Sequence, residues 1–392
     1  MLRKTVGSLA AAGLLVSIAV PPPTVAQQVT TGQNVTITLH GIFSGTLYGQ
    51  DADFLTGNGQ RAEFAAVERG NWDMGGDVRN LRLTLGVNGP EVKRGWRANG
   101  TLELDFFGSF VVSGNFSDEQ PQPRLRLAYV DLTNGRTTLR FGQAWSLSLG
   151  NIPVSTTHIG FPLGWGSGGF VGWRFPGVWL IKTLSAANAT TTTRASIAVM
   201  KNSWSDESGA NSDPFSAGER GSPQLEGRLD VSRRNTSAYV VGHVDSKDTP
   251  NITSTLLEVG ASTTRGDWTL QGNAHTGKAM AHQFAQMLQF GDIKGWGAWG
   301  QAGYAFTPTW SVWGYFGTEK ANDADARAAA QACVGANPCL KTWLAVPMIR
   351  YKSGPYAAGL EWTYAETTVS TGATTEGKVK GNQVAFSVRF DF

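Results

Sequence analysis

Cysteine, net charge and long apolar runs are all scarce in this sequence of 392 residues. There are two cysteines, and 33 basic residues are set against 30 acidic ones, which gives a formal net charge of +3. So small an excess argues against a nucleic-acid partner, because proteins that bind nucleic acid carry a strong basic excess. After Gln27, no apolar stretch reaches the roughly 20 residues that a membrane-spanning helix requires. The sequence beyond that point is therefore not typical of a helical membrane protein.

The first 26 residues have the pattern of an export signal. Arg3 and Lys4 are followed by an apolar run over 6–20, and residues 24–26 (TVA) form a cleavage site before Gln27. This arrangement is typical of a secretory signal peptide that is removed on export. We therefore expect 1–26 to be a signal peptide and 27–392 to be the mature domain, with a net charge of +1 once the two basic residues are lost.

Alternation of apolar and polar residues runs through almost the whole mature sequence. Val35, Ile37 and Leu39 alternate with threonines at its start, and residues 384–392 alternate at its end. A period of two indicates strands with a different environment on each face. About sixteen such runs occur, each near the 9–11 residues that a tilted transmembrane strand needs.

The segments between these runs alternate between short and long. Short turns, such as 89–93, alternate with long segments, such as 49–77 and 145–171. Short periplasmic turns, long external loops and an even strand number are characteristic of bacterial outer-membrane barrels. A closed barrel can cross a bilayer because its strands satisfy each other's hydrogen bonds. The sequence therefore predicts an all-β fold, a transmembrane antiparallel β-barrel of about 16 strands.

A soluble all-β secreted domain is the alternative fold, because sandwich strands also alternate. Two features favour the membrane barrel. One face of the strands is repeatedly charged, which suits a wet lumen better than a sandwich core. The apolar face ends in aromatic residues, which suits the girdles at the two membrane interfaces. These aromatic residues are Trp179, Trp268, Trp343, Tyr351, Trp362 and Tyr364.

Cys333 and Cys339 lie close together in the long segment 319–340. In the oxidising environment outside the inner membrane, such a pair favours a disulfide over a metal site. We therefore expect a Cys333–Cys339 disulfide.

Four short stretches resemble the trimeric porin superfamily of Gram-negative outer membranes. They are 383–392 (QVAFSVRFDF), 125–131 (LRLAYVD), 139–145 (LRFGQAW) and 174–176 (RFP). The resemblance implies a homotrimer in the cell outer membrane, surrounded by lipid and lipopolysaccharide. It also implies that Phe392 belongs to an insertion signal recognised by the barrel-assembly machinery. Segment 145–171 departs from general porins because it has neither an acidic residue nor a Pro-Glu-Phe-Gly motif, so the subfamily stays open.

Strand phase assigns a set of charged residues to the lumen, where rings of charge set ion selectivity. Near segment 145–171 the basic members are Arg82, Arg97, Arg124, Arg126, Arg140 and Arg174, and the acidic ones are Glu103 and Asp105. We interpret this glycine-rich segment, with His158, Phe161 and Trp165, as a constriction loop. An ordinary external loop is the alternative. Arg124, Arg126, Arg140 and Arg174 lie on consecutive strands that flank this segment, and we expect them to form a cluster. This cluster predicts a weak preference for anions, although Glu103 and Asp105 could neutralise part of its charge.

Motifs for catalysis are missing from the sequence. Its five histidines form no HExxH zinc motif, and no Gly-x-Ser-x-Gly elbow occurs. We therefore expect no enzyme activity, no catalytic or metal site and no cofactor. A barrel enzyme of the lipase or protease type and a structural or adhesion barrel stay as alternatives. Barrels of 16–18 strands leave an aqueous channel, so the sequence favours a porin that passes ions and small hydrophilic or anionic solutes.

Overall fold

The computed structural model describes residues 27–31, 34–55, 57–108, 120–202, 221–248 and 251–392. The expected signal peptide, 1–26, lies outside the described residues. The strands form one closed antiparallel barrel, and the predicted sixteen strands are confirmed. They are β1 Val35–Phe54, β2 Ala65–Asp77 with Arg82–Lys93, β3 Trp96–Asp105, β4 Arg124–Asn134, β5 Thr137–Trp145, β6 Arg174–Thr183, β7 Thr191–Met200, β8 Gly221–Arg233, β9 Thr236–Lys247, β10 Ile252–Arg265, β11 Trp268–Lys278, β12 Lys294–Ala305, β13 Trp310–Ala321, β14 Cys339–Ser353, β15 Tyr356–Ser370 and β16 Glu376–Asp391.

The sheet contains eighteen hydrogen-bonded segments, and seventeen of them make up these sixteen strands. The two segments of β2 pair one after the other with β1 and so form one interrupted barrel strand. A short additional segment, Gln27–Thr31, pairs with the beginning of β1. The described helices are α1 Asp323–Ala329 and three 3₁₀ turns, Gly59–Arg61, Ala281–Gln283 and Gln286–Leu288. None of the described helices has the length and hydropathy needed to span a membrane.

Pairing between β16 and β1 closes the barrel. Their register runs from Gln383 opposite Gln50 to Asp391 opposite Ile42. Beyond the strand end, the amide of Phe392 donates to the Gly41 carbonyl at 3.0 Å and its carbonyl accepts from the Gly41 amide at 2.9 Å. Among the described residues, this pairing joins the last strand to the first, and a closed sheet is what a lipid-exposed position requires.

The outer face of the barrel is an apolar belt. In β10, Leu257 and Val259 are exposed on the outer face, whereas Leu256 and Glu258, which alternate with them, are buried on the inner face. Aromatic pairs lie at the ends of strands. Near the short turns these are Trp268–Tyr304 and Trp310–Tyr351, and near the opposite end Trp343–Tyr364. The belt and its rims match the lipid-facing surface of an outer-membrane barrel.

The expected lipid-facing position of Trp179 is wrong. Trp179 is 1% exposed and packs inside the barrel against Ala198 and Met200 of β7. Strand β6 carries apolar residues on both faces, so alternation alone did not fix its phase. Its outer positions are taken by the exposed side chains of Val178 and Leu180.

Two expected segment boundaries are also wrong. Segment 49–77 is mostly strand, because β1 continues to Phe54 and β2 starts at Ala65. The turn expected at 89–93 lies at 94–95 instead. Arg94 and Gly95 have φ values of 51° and 81°, which are the positive values that a two-residue hairpin turn requires. The sequence Asn88-Gly89-Pro90, which has residues typical of a turn, corresponds instead to a break in register between β2 and β3.

The predicted disulfide between Cys333 and Cys339 is confirmed. Their Cα atoms are 5.5 Å apart, and both side chains belong to a buried cluster with Leu340 and Val369. Helix α1 precedes this region and is capped by Asn322, whose side chain accepts from the Asp325 amide at 3.0 Å.

Candidate functional site

Three loops fold into the barrel interior and together form the candidate site. They are loop 55–64 between β1 and β2, loop 146–173 between β5 and β6, and loop 279–293 between β11 and β12. Loop 146–173 contains nearly all of the segment expected to form a constriction. Its side chains are largely buried, in contrast to those of an external loop surrounded by solvent.

Buried carboxylates of the barrel wall bind the backbone of loop 146–173. Glu361 on β15 accepts from the amides of Thr156 and Thr157 at 2.6 and 2.9 Å, and from the hydroxyls of Ser155 and Thr156. Glu226 on β8 accepts from the amides of residues 147 and 148. Backbone groups away from water need such partners, so these two carboxylates fix the path of the loop.

Neutral and basic wall groups hold the remainder of the same loop. Gln301 exchanges two hydrogen bonds with the backbone of Val154, both at 2.7 Å. Arg228 donates to the carbonyls of Leu147 and Leu149 at 2.8 and 2.9 Å. Asn80, between the two segments of β2, accepts from the Gly160 amide at 2.7 Å. The loop therefore contacts widely separated strands of the wall.

Aromatic residues fill the interior where the loops meet. Trp165 is fully buried, with ring centroids 5.2 Å from Phe161, 5.1 Å from Trp173 and 4.7 Å from Phe284 of loop 279–293. Gly169 lets the loop lie directly against β12. It has a φ of +81°, and a Cβ there would collide with the backbone of residue 298.

His158 is buried in loop 146–173, and its amide donates to the Ser155 hydroxyl at 2.7 Å. Burial lowers the pKa of His158, although the nearby carboxylates of Glu361 and Asp77 act in the opposite direction. The packed loop therefore favours the neutral imidazole.

We call the set Arg82, Arg124, Arg126, Glu103 and Asp105 on β2, β3 and β4 the arginine side of the lumen. Asp105 accepts two hydrogen bonds from Arg124, at 3.0 and 2.7 Å, and one from Arg126 at 2.6 Å. Glu103 accepts from Arg126 at 2.6 Å, and its carboxylate lies 3.9 Å from Arg82. Charge-assisted pairs of this kind are the stronger hydrogen bonds in proteins.

A β-bulge positions Arg126. Glu103 pairs with Leu127 and Leu104 pairs with Leu125, which leaves Arg126 as the extra residue of β4. Bulges redirect side chains and are common next to functional sites. The bulge allows Arg126 to reach both carboxylates of the arginine side.

Arg174 lies beside the arginine side without an acidic partner in the described structure. Its guanidinium is stacked on Trp145 at 4.8 Å and Trp173 at 4.3 Å, and its Nη1 atom is buried without a hydrogen-bond partner. Arg126 also lies over Trp145, and Arg124 over Trp173. Three of the four arginines expected to form a cluster therefore share two tryptophans.

The fourth arginine of that expected cluster, Arg140, lies apart from the other three. It pairs with Asp131 at 2.8 Å and lies over the ring of Tyr129 at 3.8 Å. Arg97 is farther still from the loop, because it is exposed one residue into β3, beside the turn 94–95. Spacing along the sequence could not separate these two arginines from the others.

Charge on the arginine side is positive. Three arginines face two carboxylates, which leaves one positive charge, and Arg174 adds a second. The side chains of Arg82 and Arg124 are 18% and 20% exposed, so this charge is partly in contact with water. Loop 146–173 itself contains no acidic residue.

Two inward-folded loops were not identified from the sequence. In loop 55–64, the Gln60 side chain donates to Thr46 at 2.8 Å. In loop 279–293, Gln283 accepts from the hydroxyls of Ser146 and Ser148 at 3.1 and 3.2 Å. Residues 279–290 (AMAHQFAQMLQF) contain no Asp, Glu, Lys or Arg. This absence of charged residues is the feature of the sequence that could have indicated a loop that folds inward.

Solved structures of outer-membrane channels share this fold. The channel DcaP of Acinetobacter baumannii matches with a TM-score of 0.70 and 18% identity, over 93% of this chain and 99% of that one. An anion-selective porin from Comamonas acidovorans matches with a TM-score of 0.59 and 14% identity, over 91% and 100%. OmpF of Salmonella typhi, solved in complex with daunomycin, matches with a TM-score of 0.58 and 12% identity, over 93% of this chain and 100% of that one.

The chain has the porin fold. These neighbours are outer-membrane porins and channels, and the apolar belt of this barrel is consistent with the same kind of location. No protein-family model matches the chain, and no curated protein sequence does. The porin subfamily is therefore left open.

Proposed function

We propose that this porin-fold chain forms a diffusion channel for ions and small hydrophilic solutes, narrowed by loop 146–173 and weakly selective for anions. The observation that carries the proposal is the position of this loop. It crosses the interior of a closed barrel, bound to Glu361 and Glu226 on the wall and lying against the arginine side.

The proposed anion preference depends on which charged side chains are exposed to water. Buried Glu361 and Glu226 accept hydrogen bonds from the loop, so their charge is directed at its amides. The positive charges of Arg82 and Arg124 are partly exposed beside the loop. Low-dielectric walls focus such a field on passing ions, but salt screens charges over about 8–10 Å. We therefore expect modest anion selectivity.

Planar-bilayer recordings of the purified protein test the proposal. We expect discrete conductance steps, and a reversal potential in a salt gradient that has the sign of an anion preference. Replacing Arg124, Arg126 and Arg174 together by Ala should remove the preference. R97A is the matched control, because Arg97 is exposed far from the loop, and it should keep the wild-type reversal potential.

Two results would contradict the proposal in different ways. Correctly folded protein without conductance would favour a barrel enzyme of the lipase or protease type, or a structural or adhesion barrel. Clear cation selectivity, or unchanged selectivity in the triple variant, would remove the anion preference and leave the channel in place.

We also propose a homotrimer that sits in lipid and lipopolysaccharide and is inserted by the barrel-assembly machinery. A trimer form of OmpT of Vibrio cholerae, with a TM-score of 0.54 and 13% identity, supports the assembly state. The ring of Phe392 stacks on Phe43 of β1 at 5.0 Å. Deleting Phe392 should lower the amount in the membrane more than the conductance of each channel, and wild-type membrane levels would contradict its role in insertion.

A further inference from the structure

Inside the barrel, two histidines and an aspartate meet at a place that plays no part in the proposed selectivity. His243 and Asp245 are two residues apart on the inner face of β9, and His282 lies in the 3₁₀ turn Ala281–Gln283 of loop 279–293. In the described part of the chain, this is the one group of three metal-ligand side chains whose donor atoms all lie within 4.8 Å of one another.

The distances between the donor atoms suit a shared ion. The Nε2 atom of His243 is 3.7 Å from Asp245 Oδ1, and the Nε2 atom of His282 is 3.3 Å from Asp245 Oδ2. Ligands about 2.0–2.2 Å from a tetrahedral zinc ion lie roughly 3.3–3.6 Å from one another. Small rotations of the side chains would bring the three donors to such a centre.

A second carboxylate, that of Glu226, orients His243 by contacting its other ring nitrogen, Nδ1. Glu226 lies opposite His243 in the register of β8 and β9, and its Oε1 atom is 3.0 Å from His243 Nδ1. When Nδ1–H donates to Glu226, the lone pair of Nε2 points toward Asp245. Histidine ligands of metal ions almost always donate their other ring N–H to a carboxylate or carbonyl in this way.

Charge and burial favour a cation at the same place. The side chains of His243, Asp245 and Glu226 are 0% exposed, and that of His282 is 1% exposed. Glu226 contacts His243, and Asp245 contacts both His243 and His282. Carboxylates buried beside neutral imidazoles are costly unless positive charge compensates them. A divalent ion bound to two neutral imidazoles and one carboxylate supplies that charge.

We propose that His243, Asp245 and His282 bind a divalent transition-metal ion of the Zn²⁺ class, with Glu226 positioning His243. Two imidazoles and one carboxylate suit Zn²⁺ and its neighbours in the first transition series, whereas Mg²⁺ and Ca²⁺ prefer ligand sets made of oxygen. A fourth coordination position stays open for water.

A bound ion would connect the barrel wall to loop 279–293. The residue after the 3₁₀ turn, Phe284, stacks on Trp173 of loop 146–173 with ring centroids 4.5 Å apart. Gln283 is bonded to Ser146 and Ser148 of the same loop. The ion would therefore stabilise the packing of loop 279–293 against loop 146–173, and not one side chain alone.

Metal binding by untagged, chelator-treated protein in detergent tests the proposal. Equilibrium dialysis against Zn²⁺ should give one ion per chain with a Kd in the micromolar range or below, and Co²⁺ should give d–d absorption bands of a nitrogen–oxygen site. H282Q removes a ligand from a loop and leaves the barrel strands intact, so it should weaken binding at least 100-fold. E226Q should weaken it about 10- to 100-fold, as loss of an orienting partner does.

H275Q is the matched control, because His275 is also a buried histidine beside a carboxylate, with Nε2 3.8 Å from Glu319. It should bind Zn²⁺ like the wild type. Zn²⁺ should also raise the thermal midpoint of the wild type and H275Q but not of H282Q, because a ligand that binds only the folded state stabilises it.

Three outcomes would overturn the proposal: no stoichiometric Zn²⁺ binding by folded wild type, wild-type affinity in both H282Q and D245N, or equal affinity for Ca²⁺. The first outcome would leave the cluster as a network of ion pairs. Because these binding measurements do not depend on conductance, they test the metal site separately from the channel function.

Discussion

The two charged regions of the lumen wall differ in how much water reaches them. On the arginine side, Arg82 and Arg124 are partly exposed next to loop 146–173. On β8 and β9, the side chains of Glu226, His243 and Asp245 are fully buried beneath the loops. Both regions come from the same pattern of inward-facing charged residues. In the proposed channel, its exposure would let the first region act on passing ions, whereas burial directs Glu226 of the second at the backbone of loop 146–173.

The largest effect is expected from removing a buried carboxylate that holds a loop. We expect E361A to release loop 146–173, because four donors of residues 155–157 lose their acceptor and each unsatisfied buried donor costs about 1–3 kcal/mol. Single-channel conductance should rise at least about twofold as the constriction widens. The matched control is E366A on the same strand, where Glu366 pairs with Lys378 on the exposed surface. Equal conductance in wild type and E361A would show that Glu361 does not hold the loop.

Changing a carboxylate on the arginine side should alter selectivity more than conductance. In D105N, Arg124 and Arg126 lose an acidic partner, so we expect the anion-to-cation permeability ratio to rise by about twofold. D131N removes the partner of Arg140 away from the loop and should shift the ratio less. Reversal potentials in a salt gradient measure both. A shift toward cations in D105N would contradict the assignment of charge.

Acidification should loosen loop 146–173 by a smaller amount. The pKa of His158 is lowered by burial in the packed loop, so below its ordinary value of about 6.5 a released loop binds a proton that the packed loop does not. The packed state therefore loses stability as the pH falls through that value and the conductance rises. H158Q should reduce this pH dependence between pH 7.5 and 5.5. An unchanged pH profile in H158Q would exclude His158 as the cause.

The smallest effect is expected at the disulfide, whose buried cluster includes Met287 and Ile293 of loop 279–293 but no residue of the arginine side. Reducing Cys333–Cys339 should leave conductance and selectivity unchanged. Its ring is short, with a sequence separation of 6, so the stabilisation should be below the roughly 3 kcal/mol estimated for a 15-residue loop. Limited proteolysis between α1 and β14 should become faster. A change in reversal potential on reduction would link this region to the pore after all.

The sequence by itself determined the barrel, its sixteen strands, its lipid-facing belt and the disulfide. These features depend on local patterns, because alternation with a period of two and the lengths of the connecting segments are readable residue by residue. Alternation failed at β6, where Trp179 faces inward, because both faces of that strand are apolar.

The tertiary structure alone decided what the inward-facing charges do. Whether Glu361 faces water or binds the amides of Thr156 and Thr157 depends on where a loop some 200 positions earlier in the chain folds. The bulge at Arg126 and the meeting of His282 with His243 and Asp245 also arise from contacts between distant segments. Strand phase gives the direction of a side chain, whereas its partners and its exposure, which set its chemistry, exist only once the loops have packed.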